Sequence, residues 1–349
     1  KQEQGNGSKF AALEGRHGAT RLLRGTQVQP ISPHGTVRVA VTIDDLFLWD
    51  GTPIPADRSA ARTAREMTDA FAGHAIKGVY SFSSTAPADG DPTLYRVFDH
   101  WVETGHHVAN HTHLHASLNW VDAPTYIADI ERTEKLIGRW TAQAPTKYFR
   151  YCMDMWGNAR EKRDGVEAFL KSEGFTSSPL SAWFYDHAWI VPYWRAHKLG
   201  DREALAYLRK TFVDTAVDQL RRHVALNWAM FGRNPPLIWL AHGSPIAGEC
   251  MREILDRFAE GGVEFIPLEE AMADPFYSVQ PIVTERFRNQ TQKWADAKSV
   301  SMAGIPPQIL DELDNIAYIE GHSTGEVFHD ILLRLCNSMG GDFSWPGWD

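Results

Sequence analysis

The sequence predicts an α/β protein, a distorted barrel of about seven parallel strands with helices around it. One observation is the alternation of short apolar strands with amphipathic helices from Val37 to about Tyr277. Another is spacing: about seven strands in some 240 residues suit a barrel better than an open doubly wound sheet, although the sequence leaves both possible.

Each element has its own local signal. The first strand, VRVAVTI, is a continuous apolar run that ends at a pair of aspartates. The other predicted strands are IKGVYSF, HHVAN, KYFR, FTSSPL, LIWLAH and VEFIPL, and the predicted helices span 57–72, 94–103, 124–140, 160–172, two segments between 186 and 230, and 249–260.

Composition divides the chain into three parts. Residues 1–35 are rich in glycine, mildly basic and without apolar periodicity, and we expect a poorly ordered N-terminal arm. Residues 36–276 form the predicted barrel. Residues 277–349 lack the alternation, and we expect a mostly helical C-terminal extension that packs on the barrel.

The bulk numbers exclude several classes of function. A net charge of −9 without a basic patch argues against a nucleic-acid partner, and no apolar run is long enough to span a membrane. The three cysteines are too few and scattered for a disulfide framework or a thiolate zinc site. No signal peptide is visible at the start of the chain, and a mature exported protein would look the same; we favour a periplasmic or secreted location. The oligomeric state is not predicted.

Polar residues follow several strands at the edge where function collects in α/β folds. Histidines at i and i+4 share one face of a turn, so His111 and His115 can reach one metal ion while His113 points elsewhere. One carboxylate of Asp44 or Asp45 would complete the ligand set. The alternative is a loop of solvated or capping histidines.

Three further side chains fit a hydrolytic site. Adjacent aspartates often only cap a helix, but two buried carboxylates need a cation, and Arg150 is the natural one. His242 follows the apolar run LIWL, which lets its ring face the cleft; a satisfied core histidine is the competing interpretation.

These residues resemble the motifs of the polysaccharide deacetylases, the NodB-homology group also called carbohydrate esterase family 4. Thr42-Ile43-Asp44-Asp45 resembles the family's T-F-D-D motif, and residues 111–115 fit H-[ST]-x-x-H. Residues 149–151 fall at the R-x-P motif, and residues 240–242 fit L-x-H. The resemblance covers roughly residues 37–275. The stretches 149–164 and 268–278 look like a bacterial subgroup with few characterised substrates.

The resemblance implies a NodB-like fold and a role for each matching residue. Asp45, His111 and His115 would bind the metal, usually zinc, with another divalent transition metal as the alternative. Asp44 would be the base that activates water, Arg150 would hold it, and His242 would be the acid. Leu240 would shape the acetyl pocket, and Tyr151, Trp156, Trp183 and Asp186 are the other candidates for substrate binding.

Two positions depart from the family pattern. Cys152 stands where the family has proline, either as an inert apolar filler or as a thiol exposed to the site. Trp183 stands where the family's fourth motif usually supplies an aspartate. We therefore expect His242 to be less readily protonated, unless Asp186 or Asp154 substitutes from another direction.

Three functions remain open. The first is deacetylation of an N- or O-acetylated glycan, for which the rings of Trp156, Trp183 and Trp189 would stack on sugars. The second is hydrolysis of a small non-sugar amide, imide or ester at the same site, because bulky residues at 153, 155 and 156 would narrow the groove. The third is a weakly catalytic metal-containing binding protein.

Overall fold

The computed structural model describes residues 29–317 and 324–343 and confirms the α/β class. Seven parallel strands form one curled sheet in the order β5-β4-β3-β2-β1-β6, with β7 also paired to β1. Their bounds are β1 Val37–Asp44, β2 Tyr80–Ser83, β3 His107–Asn110, β4 Tyr148–Phe149, β5 Thr176–Ser177, β6 Leu237–His242 and β7 Val263–Phe265. The half-barrel is a NodB-like fold with a helical C-terminal region.

Helices cover the outer face of the sheet and continue into the extension. Their bounds are α1 Ala60–Gly73, α2 Pro87–Gly90, α3 Tyr95–Glu103, α4 Ala123–Thr141, α5 Arg160–Ser172, α6 Ile190–Leu199, α7 Arg202–Phe231, α8 Pro245–Glu260, α9 Leu268–Met272, α10 Gln290–Ala297, α11 Pro307–Ala317 and α12 Thr324–Ser338. Side-chain caps fix several starts: Ser59, Asp122 and Ser244 each accept a backbone N–H of the first turn.

The chain just after β5 joins the two edges of the sheet. The N–H of Ser178 donates to the carbonyl of Phe149 in β4. Four residues later Ala182 pairs in parallel with Trp239 of β6, at the opposite edge of the sheet. This segment therefore curls the open sheet towards a barrel, in agreement with the barrel that the strand spacing predicts.

The strand register brings polar side chains to one edge. Asp44, the last residue of β1, pairs with His242, the last residue of β6. Gly243 follows, and a Cβ there would lie 2.4 Å from the Cα of Leu46 and 2.6 Å from the carbonyl oxygen of Asp45. Only glycine allows the loops after β1 and β6 to approach this closely.

Of the expected N-terminal arm, residues 1–35, the structure describes residues 29–35, and residues 1–28 lie outside the described residues. Ile31 is buried, and its N–H donates to the carbonyl of Gly261. The ring of His34 stacks on Trp228 at 3.9 Å between centroids. Apolar burial at Ile31 and this stacking anchor the segment, although its sequence has no periodic pattern.

The C-terminal extension contacts the barrel through two layers. Residues at the start of α10 are buried against the loops that follow β4 and β5. Ile331, Leu332 and Leu335 of α12 belong to an apolar cluster with Leu48 and Trp49, which follow β1. The extension therefore forms part of the wall at the polar edge of the sheet.

Candidate active site

Asp45 occupies the loop that follows β1, in a left-handed conformation with φ of 50°. Its Oδ1 accepts hydrogen bonds from the N–H and the hydroxyl of Ser84, which fixes the carboxylate. Its Oδ2 is buried and has no hydrogen-bond partner among the described residues. Burial favours the protonated carboxyl, but His115 and His111 hold the pKa of Asp45 far below its ordinary value.

The two histidines of the loop after β3 face this unpartnered oxygen. The Nε2 atoms of His115 and His111 lie 3.2 and 3.9 Å from Asp45 Oδ2. His111 Nδ1 donates to the carbonyl of Arg150 at 2.8 Å, so its Nε2 keeps a free lone pair. His113 points away, with Nδ1 2.8 Å from Thr85 Oγ1. The i, i+4 spacing predicts this arrangement, in which His111 and His115 face one site and His113 does not.

The donor set fits a divalent transition metal. A further grouping consists of one ligand atom each from His111, His115 and Cys152, all within 4.8 Å of one another. Asp45 Oδ2, which faces both histidines, is buried without a hydrogen-bond partner among the described residues, as the ligand atom of an ion would be. Imidazole, carboxylate and thiolate together suit zinc.

Asp44 and Arg150 form a buried ion pair beside these ligands. Arg150 Nη1 donates to Asp44 Oδ1 at 2.5 Å and to Thr42 Oγ1 at 2.9 Å. Its Nε donates to the carbonyl of Ser178, and its guanidinium lies 3.7 Å from the ring centroid of Phe82. Asp44 Oδ2 remains directed at His111, 3.6 Å from its Nε2. The arginine therefore fixes one oxygen of Asp44 and leaves the other facing the site.

His242 is bound to a carboxylate. Asp186 Oδ1 accepts from His242 Nδ1 at 2.8 Å, and Asp186 Oδ2 accepts from the backbone N–H of His242 at 2.7 Å. Burial lowers the pKa of His242, but the charge and hydrogen bond of Asp186 outweigh it and raise that pKa to about 9. The structure therefore shows one of the two exceptions expected from the sequence, because Asp186 supports His242 in place of the residue at Trp183.

Left-handed backbone is concentrated in the loops of this edge. A positive φ costs about 1 kcal/mol or more for residues other than glycine, and such strain collects at functional sites. The non-glycine residues with positive φ in these loops are Asp45, Leu48, Thr112, His115, Met153, Asp154 and Tyr185.

The three tryptophans that were expected to stack on sugars are buried. Trp156, Trp183 and Trp189 are 8%, 3% and 0% exposed. Trp156 Nε1 donates to Asp154, Trp183 stacks on Phe287 at 4.7 Å, and Trp189 Nε1 donates to Thr211. Their apolar rings fill the core around the site, so a high tryptophan count here indicates packing.

The other three candidates for substrate binding are also buried. Tyr151 is fully buried, and its hydroxyl donates to Glu167 on α5. Leu240 lies in β6 within the apolar cluster that contains Phe82. Asp186 is 1% exposed, and both of its oxygens contact His242. The expected role of Asp186 in substrate binding is therefore replaced in the structure by support of His242.

Trp49 covers the site and was not identified from the sequence. Its ring centroid lies 5.3 Å from that of His115 and 5.1 Å from that of His242. Met153 and residues of α12 pack around it. A signal was available, because Trp49 follows Asp45 by four residues, but the sequence does not show which way the loop turns.

Lys293 is a second residue that sequence analysis missed. It lies in α10 of the extension, and its Nζ donates to the backbone carbonyl and to Oδ2 of Asp154 at 2.7 and 3.0 Å. Both side chains are almost fully buried. The extension therefore holds the loop after β4, which also carries Cys152.

Comparison with known families finds a similarity over the first part of the sheet. The family model described as polysaccharide deacetylase matches residues 35–161, which include Asp44, Asp45, His111, His115 and Arg150. This part of the chain is similar to the polysaccharide deacetylases. The match ends before Asp186 and His242, so the place of these two residues beside the others rests on the structure.

Solved structures show similar folds at low identity. A carbohydrate esterase family 4 pseudoenzyme from Bacillus anthracis is 14% identical, with 69% of this chain and 66% of that chain covered at a TM-score of 0.46. A family 4 carbohydrate esterase of Bacillus subtilis is 15% identical, with 68% and 80% covered and a TM-score of 0.42. The catalytic domain of a peptidoglycan N-acetylglucosamine deacetylase from Eubacterium rectale is 13% identical, with 70% and 94% covered and a TM-score of 0.43.

No curated protein matches this chain by sequence. In the described part of the chain, no helix combines the length and apolar character needed to cross a membrane.

Proposed function

We propose that this protein is a metal-dependent hydrolase that removes an acetyl group from an N- or O-acetylated carbohydrate. The observation that carries the proposal is one buried constellation, in which Asp44 held by Arg150 and His242 held by Asp186 flank the histidines at Asp45. The metal, zinc or another divalent transition ion, would be held by Asp45, His111 and His115. A periplasmic or secreted location belongs to the same proposal.

The residues divide the proton transfers between them. Asp44 accepts a proton from the attacking water through the oxygen that Arg150 does not fix, and Arg150 keeps this carboxylate oriented. His242 donates a proton to the leaving amine or alkoxide through Nε2, because Asp186 occupies Nδ1. When bound, the metal supplies polarisation of the scissile carbonyl and acidification of water. Burial strengthens each of these electrostatic interactions.

Burial of the site favours the second candidate, a small amide, imide or ester. His111, His115 and His242 are 1%, 4% and 8% exposed, and Trp49 lies against two of them. A polymer chain needs an open groove across the catalytic groups, whereas a short substrate needs only a passage beside Trp49. Hydrolysis of a single acetylated sugar is consistent with both candidate functions, whereas hydrolysis of a long glycan is consistent only with the first.

The test is acid release from acetylated polymers, acetylated mono- and disaccharides, and small amides, imides and esters. We expect release that requires added zinc and falls about 10²-fold or more in D44N. D50N, in an exposed aspartate of the same loop, is the matched control and should keep full activity. Zinc binding without release from any compound, or full activity in D44N, would overturn the proposal and leave a metal-containing binding protein.

Substrate length separates the two candidates. If the Trp49 side chain limits access to the site, small compounds should be hydrolysed faster than polymers. The W49A variant should then reduce the ratio of the two rates. A wild-type preference for the polymer would exclude the small-substrate candidate.

A further inference from the structure

Cys152 lies two residues after Arg150, in the short turn Cys152–Asp154 at the end of β4. It is fully buried, and Met153 and Asp154 after it both have left-handed backbone. The turn is pinned from the extension by Lys293 through Asp154. The sulfur is therefore held in a fixed position at the polar edge of the sheet.

Two observations indicate that this sulfur lies close enough to bind the same metal ion as the histidines. Cys152 Sγ and one nitrogen each of His111 and His115 lie within 4.8 Å of one another. In a tetrahedral site, zinc bonds of about 2.1 Å to nitrogen and 2.3 Å to sulfur place the two ligand atoms about 3.6 Å apart, so the histidine rings would have to approach the sulfur by up to about 1 Å. In addition, Asp45 Oδ2, which faces the Nε2 atoms of both histidines, is buried without a hydrogen-bond partner among the described residues.

Burial holds the pKa of the Cys152 thiol well above its ordinary value, so a thiolate here needs the charge of a bound cation, and one neighbour could also donate to it. As a thiol, Cys152 donates to the carbonyl of His111 at 3.3 Å. Thr112 Oγ1 lies 3.4 Å from Sγ and already accepts the backbone N–H of His115, so its own proton is available to the sulfur. A sulfur that has lost its proton would keep the Thr112 hydroxyl as a donor.

We propose that Cys152 is a ligand of the metal, beside His111, His115 and Asp45. The inference rests on the metal site of the proposed function. On binding, the thiol releases its proton to solvent and the sulfur–metal bond forms, without any change of oxidation state. A thiolate ligand makes the site select zinc and other thiophilic ions over magnesium or manganese. The added negative charge also lowers the Lewis acidity of the ion and ties metal retention to a reduced cysteine.

Cobalt(II) binding to the tag-free, metal-depleted full chain tests the inference by absorption spectroscopy. Thiolate ligation gives an intense sulfur-to-cobalt charge-transfer band in the near ultraviolet, which nitrogen and oxygen ligands do not give. We expect the band in the wild-type protein, its loss in C152S and its retention in C250S, a matched change at another buried cysteine. Cobalt bound to the wild-type protein without this band would overturn the inference and leave the proposed function intact.

A second measurement does not depend on the folding of a variant. Cadmium NMR of the wild-type protein reports sulfur ligation through a strongly deshielded resonance. A resonance typical of nitrogen and oxygen ligands alone would overturn the inference. If neither cobalt nor cadmium binds, the inference and the metal-dependent function fail together, which is distinct from binding without sulfur.

Discussion

Asp186 binds His242 twice, once at the ring Nδ1 and once at the backbone N–H, so the orientation of the imidazole is fixed by one carboxylate. The contact spans 56 residues of sequence, and it supplies the support that the residue at Trp183 does not. The imidazole therefore presents Nε2 as the only nitrogen free to give a proton to a leaving group.

Replacing Asp186 by asparagine should impair hydrolysis of amides more than that of activated esters. An amide nitrogen must be protonated to leave, whereas a good ester leaving group needs little help. We expect kcat for an amide to fall about 10²-fold, within the range of acid–base catalysis. Steady-state kinetics on a matched amide and ester measure the difference, and the urea midpoint reports whether the fold is kept. Equal losses on both substrates would contradict the assigned role of His242.

Removing Lys293 should destabilise the protein strongly. In K293M the carboxylate of Asp154 is left buried without its cation, a change that costs about 3–5 kcal/mol of unfolding free energy. The double variant K293M/D154N should be more stable than the sum of the single losses predicts. Urea denaturation measures the cycle, and K298M, at an exposed lysine just after α10, is the control. Additive losses would show that the pair is not coupled.

Acidification should destabilise the protein through His223. This histidine is buried, donates to the carbonyl of Gln219 and contacts Asn289, and burial lowers its pKa to about 4. Because the folded pKa lies below the unfolded value of 6.5, stability is complete above about pH 6.5 and is lost towards pH 4. Between pH 7 and 5 the loss should be about 2 kcal/mol larger in the wild-type protein than in H223Q. Urea unfolding at the two pH values tests this; equal losses would contradict it.

Metal removal should lower thermal stability through Asp45. An ion that binds only the folded state adds about 4 kcal/mol when its free concentration is about 1,000-fold above Kd. We expect zinc to raise Tm of chelator-treated protein by several degrees, and D45N to lose most of that rise. D57N, in an exposed aspartate, should respond as the wild type does. The same rise in D45N and the wild-type protein would remove Asp45 from the ligand set.

The sequence was a good guide wherever the signal is local. The run LIWLAH marks β6 to the residue, and the helix predicted at 160–172 coincides with α5. Parallel strands bring their carboxyl ends to one edge, which is why the sequence alone predicts that Asp44 and His242 lie close together.

The missed features depend on contacts between distant segments. The polar residues at the start of α10 look like a solvent-facing helix end, yet Lys293 is buried against Asp154, 139 residues earlier in the chain. Trp49 follows Asp45 closely in sequence, but only the path of the loop places its ring against His115 and His242. Ring burial at Trp156 and Trp183 likewise depends on distant residues, Lys293 over Trp156 and Phe287 against Trp183.

The buried pair of Lys293 and Asp154 also has a consequence for natural variation. Residue 154 lies in the segment shared with the family, whereas residue 293 lies in the extension. Neither charge is tolerable alone in that position, so the two residues should be inherited together or lost together across relatives. The extension and the loop after β4 would then form one evolutionary unit, and the presence of a lysine at 293 would mark the relatives that hold Cys152 in the same way.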